Sequence, residues 1–145
     1  MVSFTITEKG YALQKADGTW FPFVENDIKN GPDQATGAMA VLVAMLLERY
    51  KAGKYPLALV SMDNCSKNGA KLRESVLTMV KEWEKKGFVD TDFIHYISDD
   101  KVVAFPWTMI DKNTPRPSEH IAADLEELGV EDMQPVITSK KRYIA

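Results

Sequence analysis

Residues 60–69 read VSMDNCSKNG and place Asp63, Asn64, Ser66 and Asn68 close together, directly after the apolar run PLALV. An asparagine carboxamide in such a place can donate to a substrate oxygen or to a cofactor amide. What matters is where the chain puts it. In open α/β sheets, ligands bind in the crevice beyond the carboxyl ends of the strands, and the first amides of the next helix point into the same crevice. Asp, Asn and Ser between a strand and a helix also serve ordinary turn and capping chemistry. Spacing alone leaves both readings open.

Other reactive side chains offer less. Cys65 sits near a helix start, which can lower a thiol pKa, but no histidine is near it in sequence to act as base. His95 lies in FIHYIS among apolar neighbours and reads as a strand histidine; His120 reads as a surface residue in the first turn of a helix. No set with the spacing of H-E-x-x-H occurs, so no metal site is expected. Trp20, Trp83 and Trp107 lack interleaved basic residues and read as core or lid rather than a base-stacking platform.

The bulk numbers narrow the class. The chain has 145 residues, enough for one domain with a sizeable core, with 45% hydrophobic and 27% charged residues. Its net charge is -3 and its pI about 5.4, with Lys140-Lys141-Arg142 as the longest basic cluster. Nucleic acid and anionic membranes are therefore not expected partners. The longest apolar stretch, AMAVLVAMLL at 38–47, is too short to span a membrane and reads as a buried helix. One cysteine permits no internal disulfide, and the opening residues lack a signal layout, so the cytoplasm is the expected compartment.

The elements that would position these residues follow from patterning. SFTITEKGY (3–11) alternates as a strand, and Ala16-Asp17-Gly18 turns a small hairpin. Asp33 can cap a helix over about 34–51. The run 55–61 reads as a strand buried on both faces. Leu72, Val76, Met79, Val80 and Trp83 recur at helical spacing, with Gly87 as the stop. DFIHYISD and KVVAFPW read as one or two strands. A helix opened by Pro117-Ser118 carries Ile121, Leu125 and Leu128 and closes at Gly129, and QPVITSKKRYIA reads as a last strand. This rhythm predicts an α/β fold with a parallel or mixed sheet flanked by helices.

Three segments carry a resemblance. VSMDNCSKNG resembles the S-C-D-N-x-x-x-N-G segment of the mannitol dehydrogenase family, the long-chain polyol and hexuronate dehydrogenases. AFPWTMIDKNTP (104–115) is similar to F-P-x-S-M-V-D-R-I-T-P, and TITEKGY resembles T-x-T-E-x-G-Y, all in the family's order. The departures are Met62 for Cys, Thr108 for Ser, Ile110 for Val, Lys112 for Arg, and Asn113 for an aliphatic residue. The resemblance implies a Rossmann-like domain using NAD or NADP on a polyol, ketose or hexuronate. It implies that Asn64 polarises the sugar carbonyl oxygen. It also implies that Asp63, Thr108, Met109, Ile110 and Asp111 lie on the cofactor side.

Two family features have no counterpart. The glycines at 10, 18, 31, 37, 53, 69, 87 and 129 form no G-x-G, the turn that holds a pyrophosphate. Neither histidine fits K-x-x-x-x-N-x-x-H, the family's catalytic signature. The expectation is a single partial domain over 1–145, the second half of a dinucleotide-binding domain. Its first βαβ unit and the helical catalytic domain would lie outside it, and the chain alone would be inactive. The alternative is a non-catalytic α/β module, whose unpaired sheet edge would invite self-association.

Overall fold

The computed structural model describes residues 1–110, 119–130, 136–137 and 143–144. They fall into two units, Met1–Ile110 and Asp111–Ala145. The first unit contains β1 (Val2–Phe4), α1 (Pro22–Asn30), α2 (Ala38–Gly53), β2 (Leu57–Ser61), α3 (Asn68–Lys85), α4 (Thr91–Ser98) and β3 (Val103–Ala104). The strands form one sheet in the order β1-β2-β3, and both pairs are parallel. Val2 lies opposite Leu59, and Leu57 opposite Val103. The expected inner strand is thus β2.

Parallel neighbours need a crossover, and each crossover here carries helices. Both step the same way across the sheet, so their right-handed sense lays α2 and α3 on one face, where they pack on each other. Paired residues share a face, which puts Val2, Phe4, Leu57, Leu59, Ser61 and Val103 on the helix side. Leu59 and Val103 join Val43, Leu46, Leu72, Val76, Val80 and Trp83 in the core. Trp83 is fully buried and its indole donates to the Asp27 carbonyl at 2.9 Å, which satisfies its one polar atom. The hairpin at Ala16-Asp17-Gly18 forms, with Gln14 bridged antiparallel to Trp20.

Four expectations for this unit need correction. The first strand ends at Phe4, because the chain turns at Thr7 (φ 65°) into a 3-10 turn over Glu8–Tyr11. The segment WFPF does not end in a hairpin strand; Pro22 opens α1, where a missing amide and fixed φ suit the first helical position. Asp33 caps nothing. It lies in a 3-10 turn, and α2 starts at Ala38 while the Asp27 carboxylate takes the amides of Thr36 and Gly37 at 2.8 and 2.9 Å.

The fourth correction concerns DFIHYISD, which is α4 rather than a strand. Its aromatic and β-branched residues favour extended structure locally, but Phe93, Tyr96 and Ile97 bury one helical stripe. Asp90 starts the helix, with its carboxylate accepting from the Phe93 amide at 2.8 Å. His95 is therefore an exposed helix residue. Asp90→Ala is expected to cost about 1 kcal/mol of stability. Urea unfolding checks this, and an unchanged midpoint would show that the cap contributes nothing.

In the second unit, α5 (Glu119–Glu127) carries Ile121 and Leu125 as expected. It closes at Gly129 (φ 83°), with Val130 N–H donating to the Leu125 carbonyl at 2.9 Å. Pro117 and Ser118 lie outside the described residues. The single last strand is instead two short ones, β4 (Val136–Ile137) and β5 (Tyr143–Ile144), paired antiparallel. In sequence, the polar run Ser139-Lys140-Lys141-Arg142 separates the two apolar pieces. No described helix is long and apolar enough to cross a membrane.

Candidate functional site at the carboxyl edge of the sheet

Each of the three motif segments leaves the carboxyl end of a different strand. TITEKGY follows β1, MDNCSKNG follows β2, and FPWTMI follows β3. Because the strands are parallel, all three exits lie along one edge of the sheet. That edge is where an open α/β sheet receives ligands.

At the exit of β2 the side chains alternate. Ser61 and Asp63 are buried, whereas Met62 and Asn64 are exposed. The adjacent Asp and Asn, which look alike as turn formers, thus point opposite ways. Asn64 presents its carboxamide to solvent, free to donate or accept.

Asp63 turns inward. Its Oδ1 accepts from the Thr7 amide at 2.8 Å, both oxygens lie within 3.2 Å of the Ile6 amide, and Oδ2 accepts from the Tyr11 hydroxyl in a short bond. Tyr11 has one proton and gives it to Asp63, so the Ser61 hydroxyl donates to Tyr11 at 2.6 Å. The Asp63 amide returns to Ser61 Oγ at 3.3 Å, closing the ring. Burial alone would raise the Asp63 carboxyl, but the bonds from Tyr11, Ile6 and Thr7 outweigh it and hold it below its ordinary value. Burial and the hydrogen bond to Asp63 push Tyr11 far above the ordinary phenol value, so it stays protonated and does not serve as a general base.

Asn68 joins the second and third exits. Its amide NH2 group, with two hydrogens, lies within bonding distance of three acceptors, the Asp63 carbonyl at 3.1 Å, the Thr108 carbonyl at 3.0 Å and the Thr108 hydroxyl at 2.7 Å, so one hydrogen is shared between two of them. Its Oδ1 accepts from the amides of Gly69 and Thr108 at 2.8 and 3.1 Å. The Thr108 hydroxyl in turn donates to the Ser61 carbonyl. The hydroxyl, which serine and threonine share, is the group that makes this tie. Gly69 packs against the chain just before, where a Cβ would sit 2.5 Å from the Pro106 carbonyl oxygen and 2.6 Å from that of Phe105.

Beyond Thr108, Met109 and Ile110 are exposed, Met109 by 84%. Asp111, expected on the cofactor side, lies outside the described residues. Cys65 is half-buried, and Trp107 is exposed while Trp83 is core. Among the described residues no group of three or more His, Cys, Asp or Glu side chains can hold a metal ion.

Asn68 and Gly69 begin α3, and sequence reasoning missed the tie from Asn68 to Thr108. The signal was present. A glycine in the first turn of a helix costs propensity unless something approaches closely. Tyr11 and Ser61 were also missed, because nothing in their spacing connects residues 50 apart.

Similarity to known proteins agrees with this layout. Residues 2–141 match the Mannitol dehydrogenase Rossmann domain. The D-mannonate oxidoreductase of Thermotoga maritima is 50% identical over 145 residues, covering 100% of this chain and 26% of that protein. The mannitol 2-dehydrogenase of Phaeosphaeria nodorum is 32% identical over 142 residues, covering 95% and 23%. A solved structure, the Pseudomonas fluorescens mannitol 2-dehydrogenase ternary complex with NAD and D-mannitol, superposes with a TM-score of 0.60 at 26% identity, over 87% of this chain and 24% of that one. The chain therefore spans about a quarter of the length of the relatives it matches. With the family match running over nearly the whole sequence, and its motif segments meeting along one sheet edge, the chain belongs to the mannitol dehydrogenase family through its Rossmann domain.

Proposed function

We propose that this chain is part of the nucleotide-binding domain of an NAD-dependent dehydrogenase that interconverts a polyol or aldonate with its ketose or keto-acid. The observation that carries the reading is the exposed Asn64 carboxamide at the edge where all three motif segments converge. NAD is favoured over NADP because the Pseudomonas neighbour is a complex with NAD. An aldonate such as D-mannonate is favoured by the 50% identity to the Thermotoga oxidoreductase. The cytoplasm remains the proposed compartment.

The residues present fit one end of the cofactor. Exposed Met109 and Ile110 offer an apolar wall to the nicotinamide face, fixed to the sheet through Thr108 and Asn68, with Asp111 next in sequence. The pyrophosphate needs a glycine turn, and the sequence has no G-x-G. When bound, the cofactor exchanges hydride with the carbon that bears the reacting oxygen. Asn64 donates a hydrogen bond to that oxygen and stabilises the charge that develops on it. Thr108 and Asn68 hold the wall in place. A lysine base would come from sequence outside this chain.

The test is NADH absorbance with D-fructuronate and D-fructose, using the 145-residue chain and the natural reading frame that carries it. The chain alone is expected to be inactive and the longer protein active. Turnover by the chain alone would overturn the partial-domain reading, and an inactive longer protein would overturn the dehydrogenase reading. A non-catalytic assembly module is the second reading. Among the described residues β1 pairs only with β2, and an apolar groove of about 210 Å³ runs beside it, lined by Val2, Phe4, Ile6, Val41, Leu42 and Met45. Dimerisation without NAD binding would favour that module.

A further inference from the structure

We propose that Asp63 is a positioning residue, whose buried carboxylate fastens the exit of β1 to the exit of β2 and so sets where Asn64 stands. The carboxylate is 4% exposed and already takes three donors: two backbone amides and a hydroxyl. Little capacity remains for a ligand. What it grips is specific. Thr7 has φ 65° and ψ 160°, a region that a non-glycine residue occupies only when its surroundings enforce it. The Ile6 and Thr7 amides that lead into that turn both point at Asp63. The next residue, Glu8, ion-pairs with Lys71 of α3, so the strained turn also decides how the β1 exit lies on that helix.

The consequence for Asn64 is direct. Asp63 is its neighbour in the chain and is held at both ends. Its side chain is bound by the β1 exit and its carbonyl by Asn68. With Asp63 so fixed, the backbone position from which the Asn64 side chain projects is set as well. A displacement on the order of 1 Å at a reacting group can cost about 100-fold in rate. An uncharged amide at 63 would bring an NH2 group against the Ile6 and Thr7 amides, or lose one oxygen acceptor.

This inference rests on the dehydrogenase reading for its effect on turnover, but not for its structural part, and the test separates them. Amide exchange at Ile6 and Thr7 is measured in the 145-residue chain as wild type, Tyr11→Phe and Asp63→Asn. Turnover and KM are measured for the same variants, with Asn64→Ala, in the longer dehydrogenase. Exchange is expected to rise about three-fold in Tyr11→Phe, which keeps the amide bonds, and at least about ten-fold in Asp63→Asn. In Asp63→Asn, kcat is expected to fall about ten-fold with KM for NAD changed less than about two-fold. Unchanged exchange at both amides in Asp63→Asn would overturn the proposal. Should that variant fail to fold, unchanged exchange in Tyr11→Phe would overturn it instead. A large rise in KM for NAD would show that Asp63 touches cofactor, which also overturns it. If Asn64→Ala retains full turnover, the dehydrogenase reading fails, while the exchange result still decides the anchor.

Discussion

Gly69→Ala is expected to lower stability by about 1 kcal/mol, although alanine is the better helix former. Two effects oppose each other. Alanine in a helix gains about 1 kcal/mol over glycine. Against that, the added methyl would lie 2.5 and 2.6 Å from two backbone carbonyl oxygens, of Pro106 and Phe105. Backbone cannot swing away as a side-chain tip can, so either α3 or the β3 exit must shift, and overpacking of this kind costs roughly 1–3 kcal/mol. The shift would also strain the bonds from Asn68 to Thr108. The loss should dominate and lower the melting temperature by about 4 °C. Calorimetric melting of the two proteins checks it. A melting temperature at or above wild type would mean that the helix start and the β3 exit are less tightly apposed than the geometry indicates.

Asn64→Ala should behave in the opposite manner, leaving stability almost untouched while removing most activity. Asn64 is exposed and among the described residues makes no hydrogen bond. Its truncation should therefore change stability by no more than about 0.5 kcal/mol. In the proposed longer dehydrogenase, the loss of one donor to a developing oxyanion should cost about 100- to 1,000-fold in kcat. NAD affinity should change little, because in the proposed role the carboxamide acts on substrate oxygen. Steady-state kinetics with D-fructuronate, beside an NADH titration, measures both. Full turnover by the variant would remove Asn64 from the mechanism.

The sequence declares some of this fold openly and conceals the rest for physical reasons. β2 and α3 are legible because burial imposes a continuous apolar run on one and a regular stripe on the other. α4 is not, because Phe93, Ile94, Tyr96 and Ile97 have strand preferences that packing against α2 and α3 overrides. α1 hides behind WFPF, where a proline that breaks helices from within opens one from its first position. The site shows the same division. Its location follows from polar residues after a buried strand. The division of labour between Asp63 and Asn64 does not, since two adjacent turn formers carry no mark of which one faces inward. Tyr11 becomes part of the site only through tertiary structure.

The separation of the first two strands in sequence also fixes an order of events. Val2 meets Leu59 and Ile6 meets Asp63, each across 57 residues. Closing so long a loop is entropically uphill before any contact rewards it, and pairings of this kind form slowly. Helices α2 and α3 are local and need no such closure. The chain can therefore hold most of its helical content before the β1 exit reaches Asp63. Asn64 is therefore expected to find its place late, together with the β1 exit rather than with the helices.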